Sequence, residues 1–94
     1  MPYISGEYRD DFDFCAEQIA ERAETSGELN YAITKICDKF VMRNGENYEN
    51  YNRVLGVLEA VKMELYRRKV VPYEDRKMRE NGDVYSFESK EDKE

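Results

Sequence analysis

Residues 25–45 read Thr25-Ser26-Gly27-Glu28-Leu29-Asn30-Tyr31-Ala32-Ile33-Thr34-Lys35-Ile36-Cys37-Asp38-Lys39-Phe40-Val41-Met42-Arg43-Asn44-Gly45. Leu29, Ala32, Ile33, Ile36, Cys37, Phe40 and Val41 recur at three- and four-residue spacings, which places them on one face of a helix. Thr25 followed by Glu28 is a capping-box pattern at the start. Asn44-Gly45 supplies the stop, because both residues accept the left-handed conformation that a helix end often needs.

Upstream, Tyr8 to Ala23 repeats the pattern through Phe12, Cys15, Ala16, Ile19, Ala20 and Ala23. Its acids, Asp10, Asp11 and Asp13 among them, crowd the early turns, where they complement the positive end of the helix dipole. Downstream, a third helix of about 23 residues is expected from near Asn47 to Val70-Val71-Pro72, where proline should break it. Val54, Leu58, Val61 and Leu65 form its stripe, and Val57, Ala60 and Met63 widen the apolar surface beyond one packing face. That excess predicts a partner subunit. Gly56 lies mid-helix, read either as a tolerated glycine or as a point of close approach.

Pro72 suits the first turn of a short fourth helix that ends at Asn81-Gly82. Val84 to Phe87 then reads as extended, and Glu88 to Glu94 as a charged tail. The expectation is an all-α chain forming a small helical bundle: two antiparallel helices, one long helix and a short C-terminal helix. It is oligomeric, with a single domain over 1–87 and a tail over 88–94.

Composition agrees with one soluble helical domain: 94 residues, 40% hydrophobic and 38% charged, with two Pro, five Gly and no Trp. No apolar run approaches a membrane span, and the first ten residues lack a secretory pattern, so a cytoplasmic location is expected. The chain has no His, which excludes a histidine-dependent triad. Cys15 and Cys37 form no C-x-x-C pair, so no zinc site is expected, and two buried, reduced thiols are the reading. Neither a G-x-G-x-x-G nor a G-K-[ST] phosphate loop occurs.

Charge is unevenly spread. Residues 1–28 hold eight acids and two bases, whereas 59–80 hold seven bases and five acids, although the net charge is −6. Overall acidity argues against duplex nucleic-acid binding, which depends on neutralising many phosphates. A small anion needs fewer donors. Lys62, Arg67, Arg68, Lys69, Arg76, Lys77 and Arg79 interleave with Tyr66 and Tyr73, joining cations to flat rings as nucleotide recognition does. The rival reading is a solvated helix face making pairs such as Glu64 with Arg68. Asn30 and Thr34 lie one turn apart near a helix start, where they read either as base-edge donors or as part of the cap. Asn81-Gly82-Asp83 reads as a turn or as a ligand contact. Eight tyrosines serve interfaces and pockets alike.

Pro2-Tyr3-Ile4, Gly27-Glu28-Leu29-Asn30-Tyr31, Tyr51-Asn52, Gly56-Val57-Leu58-Glu59, Glu64-Leu65-Tyr66-Arg67-Arg68, Pro72-Tyr73-Glu74-Asp75 and Glu80-Asn81-Gly82-Asp83-Val84 resemble a family of short phage and prophage proteins. Small helical phage proteins of this kind are similar to the nucleotide sponges that oppose CBASS signalling. Those are oligomers that sequester a messenger such as 3′3′-cGAMP without cleaving it. The resemblance implies stacking by Tyr31 and Tyr73, phosphate contacts by Arg67, Arg76 and Lys77, and base-edge hydrogen bonds from Asn30, Thr34 and Asn81. It also implies a non-enzymatic protein with no cofactor and no metal, acting in the host cytoplasm during infection. The alternative is an adaptor or inhibitor that docks on a host protein. A third reading, a magnesium-dependent nucleotide hydrolase, would use Glu21 with Glu24 and Glu80 with Asp83.

Overall fold

A computed structural model describes residues 2–88. The chain is all-α: α1 (Gly6–Arg22), α2 (Ser26–Asn44), α3 (Tyr48–Leu65), a π-helical turn (Tyr66–Val70) and α4 (Val71–Asn81). There is no strand among the described residues. Two compact units divide the chain, Met1–Val61 and Lys62–Glu94, with the dividing line inside α3.

In the first unit, the helix ends are fixed by local chemistry. Thr25 Oγ1 accepts the Glu28 N–H at 3.1 Å, and Glu28 Oε1 accepts the Thr25 and Glu24 N–H groups at 3.0 and 3.1 Å. Two donors at the helix start, together with the Glu24 N–H just before it, are thereby satisfied. α2 closes at Gly45, whose φ of 118° lets its N–H reach the Val41 carbonyl at 2.8 Å. α1 begins less firmly: Ser5 makes no side-chain cap, and Arg9 Nε instead donates to the Ile4 carbonyl at 3.0 Å.

A cluster of asparagines joins α2 to α3. Asn50, only 6% exposed, donates through Nδ2 to the Asn44 and Gly45 carbonyls at 3.1 and 2.8 Å. Its Oδ1 accepts from Arg53, and its main-chain N–H donates to Asn47 Oδ1 at 2.9 Å. Val41, also 6% exposed, is the one buried apolar side chain among the described residues. The stripes on α1, α2 and α3 are therefore present but mostly open to solvent. This corrects the reading of the thiols: Cys15 is exposed and Cys37 half-buried, because α1 meets α2 nearer its C-terminal end, at Ile19 and Ala23, one turn and more beyond Cys15.

In the second unit, the expected break at Pro72 is absent. Leu65, Val70 and Val71 all keep right-handed helical dihedrals, and the Val71 N–H bonds to the Tyr66 carbonyl, five residues back. Proline has no N–H to give and its ring crowds the carbonyl four residues earlier, here Arg68. Widening the turn by one residue relieves that crowding and keeps the chain helical. α4 then runs to Gly82, where a φ of 88° turns the chain and the Gly82 N–H meets the Met78 carbonyl at 2.8 Å. Beyond it, Val84 to Phe87 is irregular, bent at Tyr85, whose N–H donates to Asp83 Oδ1 at 2.9 Å. The expected tail begins with Glu88, and its remaining residues lie outside the described part.

Candidate functional site

The strongest grouping lies on α4, in the second unit. The Arg76 guanidinium sits 5.7 Å from the centre of the Tyr73 ring and the Lys77 ammonium 5.6 Å from it. Spacings of three and four residues bring both cations over one ring, and a cation within about 6 Å of an aromatic face is attracted to it. Lys77 also pairs with Glu80 at 3.5 Å. Lys77 and Asn81 line a groove of about 320 Å³ with Met78, Asp83 and Tyr85, and Glu74 and Asp75 place carboxylates on the same groove. Of the five candidates in this unit, Tyr73, Arg76, Lys77 and Asn81 thus share one short helix.

Arg67 stands apart from them. Its Nη2 donates to both carboxylate oxygens of Glu64, at 3.2 and 3.1 Å, and it lines a separate groove with Lys62, Met63 and Tyr66. A phosphate reaching Arg67 would compete with that carboxylate. The local pair expected from the sequence was Glu64 with Arg68; the guanidinium that takes it is Arg67.

Asn30, Tyr31 and Thr34 belong to the first unit. The Thr34 hydroxyl donates to Asn30 Oδ1 at 3.2 Å, so each supplies part of the other's hydrogen bonding. Capping is done by Thr25 and Glu28, which leaves Asn30 free of that duty. Tyr31 is 66% exposed, with the Lys35 ammonium 6.0 Å from its ring centre. It lines a groove of about 470 Å³ that includes Ile19, Arg22, Lys35 and Ile36. Ring and cation recur here as they do at Tyr73.

Two features of the first unit have no counterpart in the sequence reading. The Arg53 guanidinium lies 5.2 Å from the Phe40 ring centre, at a groove of about 180 Å³ between α2 and α3. A hydrogen bond to Glu46 raises the Tyr51 hydroxyl above its usual pKa, aided by desolvation and by the negative charges of Glu46 and Asp38. The signal for the first was the spacing of Arg53 three residues after Asn50, legible only once Asn50 is known to be buried.

Among the described residues, no three metal-ligating side chains converge. Glu80 is drawn to Lys77, and Asp83 lies beyond the end of α4, accepting from Tyr85. None of the described helices is long and apolar enough to cross a membrane. Comparison with curated proteins and with solved structures returned no match. A family model described as a domain of unknown function (DUF6899) matches residues 1–84, which takes in every helix from α1 to α4, and the chain belongs to that family.

Proposed function

We propose that this protein binds and sequesters a cyclic nucleotide signal such as 3′3′-cGAMP without cleaving it, and so inhibits a CBASS-type anti-phage defence in the host cytoplasm. The observation that carries the reading is the Tyr73 ring flanked by Arg76 and Lys77. A ring face offers stacking to a base, and the two cations offer charge-assisted hydrogen bonds to phosphate. Asn81 adds a side-chain amide that can pair with a base edge. Tyr31 beside Lys35, with Asn30 and Thr34 on the same helix, offers the same chemistry a second time. In this reading the helices complete a bundle as a dimer or tetramer, and no catalytic group is needed: a sponge acts by mass action and must bind tightly at stoichiometric levels.

Calorimetry against a panel of cyclic di- and trinucleotides tests the reading, followed by recovery of the ligand after heat denaturation. Tight binding to at least one member and return of that molecule intact are expected. A charge-assisted contact is worth about 1.5–3 kcal/mol, so Arg76→Glu should weaken binding by roughly tenfold to a hundredfold. Unchanged affinity in both Arg76→Glu and Arg67→Glu would remove the phosphate role assigned to them. A second reading, an adaptor or inhibitor docking on a host protein, draws on the exposed apolar residues of α3. Silence across the nucleotide panel with specific capture of one host protein selects it.

A further inference from the structure

Three short helices with one buried apolar side chain do not hold themselves together. Isolated helices of fewer than about 12–15 residues are marginal in water, and longer ones still draw most of their stability from packing an apolar face. α1, α2 and α3, at 17, 19 and 18 residues, are only slightly longer. Ordering each residue costs about 1–2 kcal/mol of backbone entropy, and the burial of Val41 with the partial burial of Ile19, Cys37, Phe40, Val54 and Leu58 offsets only part of it. Something beyond this unit must cover these faces.

We propose that the cover is a second copy: the chain folds only as it associates, with the apolar faces of α1 to α3 from two copies forming one shared core. This deepens the assembly part of the proposed function and rests on it, but not on any ligand.

Area supports the proposal. Aromatic side chains carry about 150–250 Å² each, so Phe12, Phe40 and Tyr51, exposed by 65, 39 and 46%, leave roughly 230–380 Å² open. Leu29, Ile36, Leu58 and Val61 on the same stripes, exposed by 50, 55, 38 and 54%, add to it. The sum approaches the roughly 800 Å² that each partner contributes to a stable interface.

Charge selects a copy of this chain as occupant. Residues 1–28 carry two bases against eight acids, and residues 59–80 carry seven bases against five acids. Each copy therefore offers both an acidic and a basic stretch, so two copies complement each other twice under a two-fold axis. Gly56 supplies a third argument. Among the described residues nothing lies within 4 Å of a Cβ built there, although glycine costs about 1 kcal/mol against Ala inside a helix. A partner helix crossing closely at Gly56 explains that glycine.

The test uses the full chain without nucleotide. Sedimentation equilibrium should give at least twice the 11.2 kDa chain mass, and the urea midpoint should rise with each tenfold increase in protein concentration. Gly56→Ala should lower that midpoint and raise the dissociation constant at least severalfold. A monomer that unfolds cooperatively at a concentration-independent midpoint overturns the proposal, whether its own second unit or a foreign protein covers the faces. An oligomer in which Gly56→Ala raises the midpoint, as expected for an exposed helix position, overturns the crossing at Gly56. Because no nucleotide is present, neither outcome bears on whether one binds.

Discussion

Replacing Asn50 tests whether the α2–α3 junction is held by side-chain chemistry. Asn50→Ala deletes two hydrogen bonds to the Asn44 and Gly45 carbonyls and the acceptor used by Arg53. The two bonds to main chain contribute about 0.5–1.5 kcal/mol each, and carbonyls left partly buried without a donor add to the loss. Arg53 recovers hydration and adds little. The expected destabilisation is about 1–3 kcal/mol. Asn50→Asp is nearly isosteric yet should be at least as harmful at pH 7, because a carboxylate oxygen then faces two carbonyl oxygens. Lowering the pH should partly relieve it, since a protonated carboxyl donates one hydrogen bond. Urea unfolding followed by far-ultraviolet circular dichroism, at one fixed protein concentration, reads all three proteins. If Asn50→Ala and Asn50→Asp both fall within about 0.5 kcal/mol of the parent, the range typical of featureless surface positions, the junction is not held in this way.

Three further outcomes are expected. Thr25→Ala removes the cap from α2 and should cost about 0.5–2 kcal/mol, measured by the same unfolding curves; no loss would mean that Glu28 alone satisfies the helix start. In an absorbance titration Tyr51 should ionise above the ordinary tyrosine value near 10, and Glu46→Gln should bring it back toward that value. Its raised pKa favours the neutral hydroxyl in the folded state, so the associated stability is complete below the unfolded tyrosine value near 10 and is lost as pH climbs through the folded one. Pro72→Ala should let the Val71 N–H bond to Arg67 in place of Tyr66, detectable by amide–carbonyl couplings in nuclear magnetic resonance; persistence of the bond to Tyr66 would show that proline is not the cause of the π turn.

Local signals were legible where they act locally. Thr25 with Glu28 marked the start of α2 and Gly45 its end, and both do what a cap requires within a few residues. α3 opens beside Asn47 as its sequence suggests, but the helical run passes the expected end at Val70-Val71-Pro72 and continues to Asn81. Pro72 misled because the residue before proline tends to leave the α region, whereas Val71 keeps right-handed helical dihedrals and the π turn relieves the crowding of the Arg68 carbonyl. Asn50 was passed over because an asparagine inside a helix pattern carries no periodic signal; its partners are six and five positions back, across the junction. Periodicity located the apolar faces of α1 and α3 but not what lies against them, since spacing identifies a stripe without identifying its cover. For the candidate site, Tyr73, Arg76 and Lys77 share a face as their spacing dictates, whereas the engagement of Arg67 by Glu64 depended on which rotamers the two side chains adopt.

The π turn also sets a phase. One extra residue advances everything after it by about 100° around the helix axis, so a wheel drawn unbroken from Lys62 through Asn81 assigns Tyr73 and Lys77 to the wrong azimuth. Deleting a single residue from Tyr66–Val70 would rotate the α4 face by that step while leaving its composition and length untouched. The aim of the ring and its two cations, relative to Glu64 and Lys62, thus depends on the number of residues in the turn as well as on their identity.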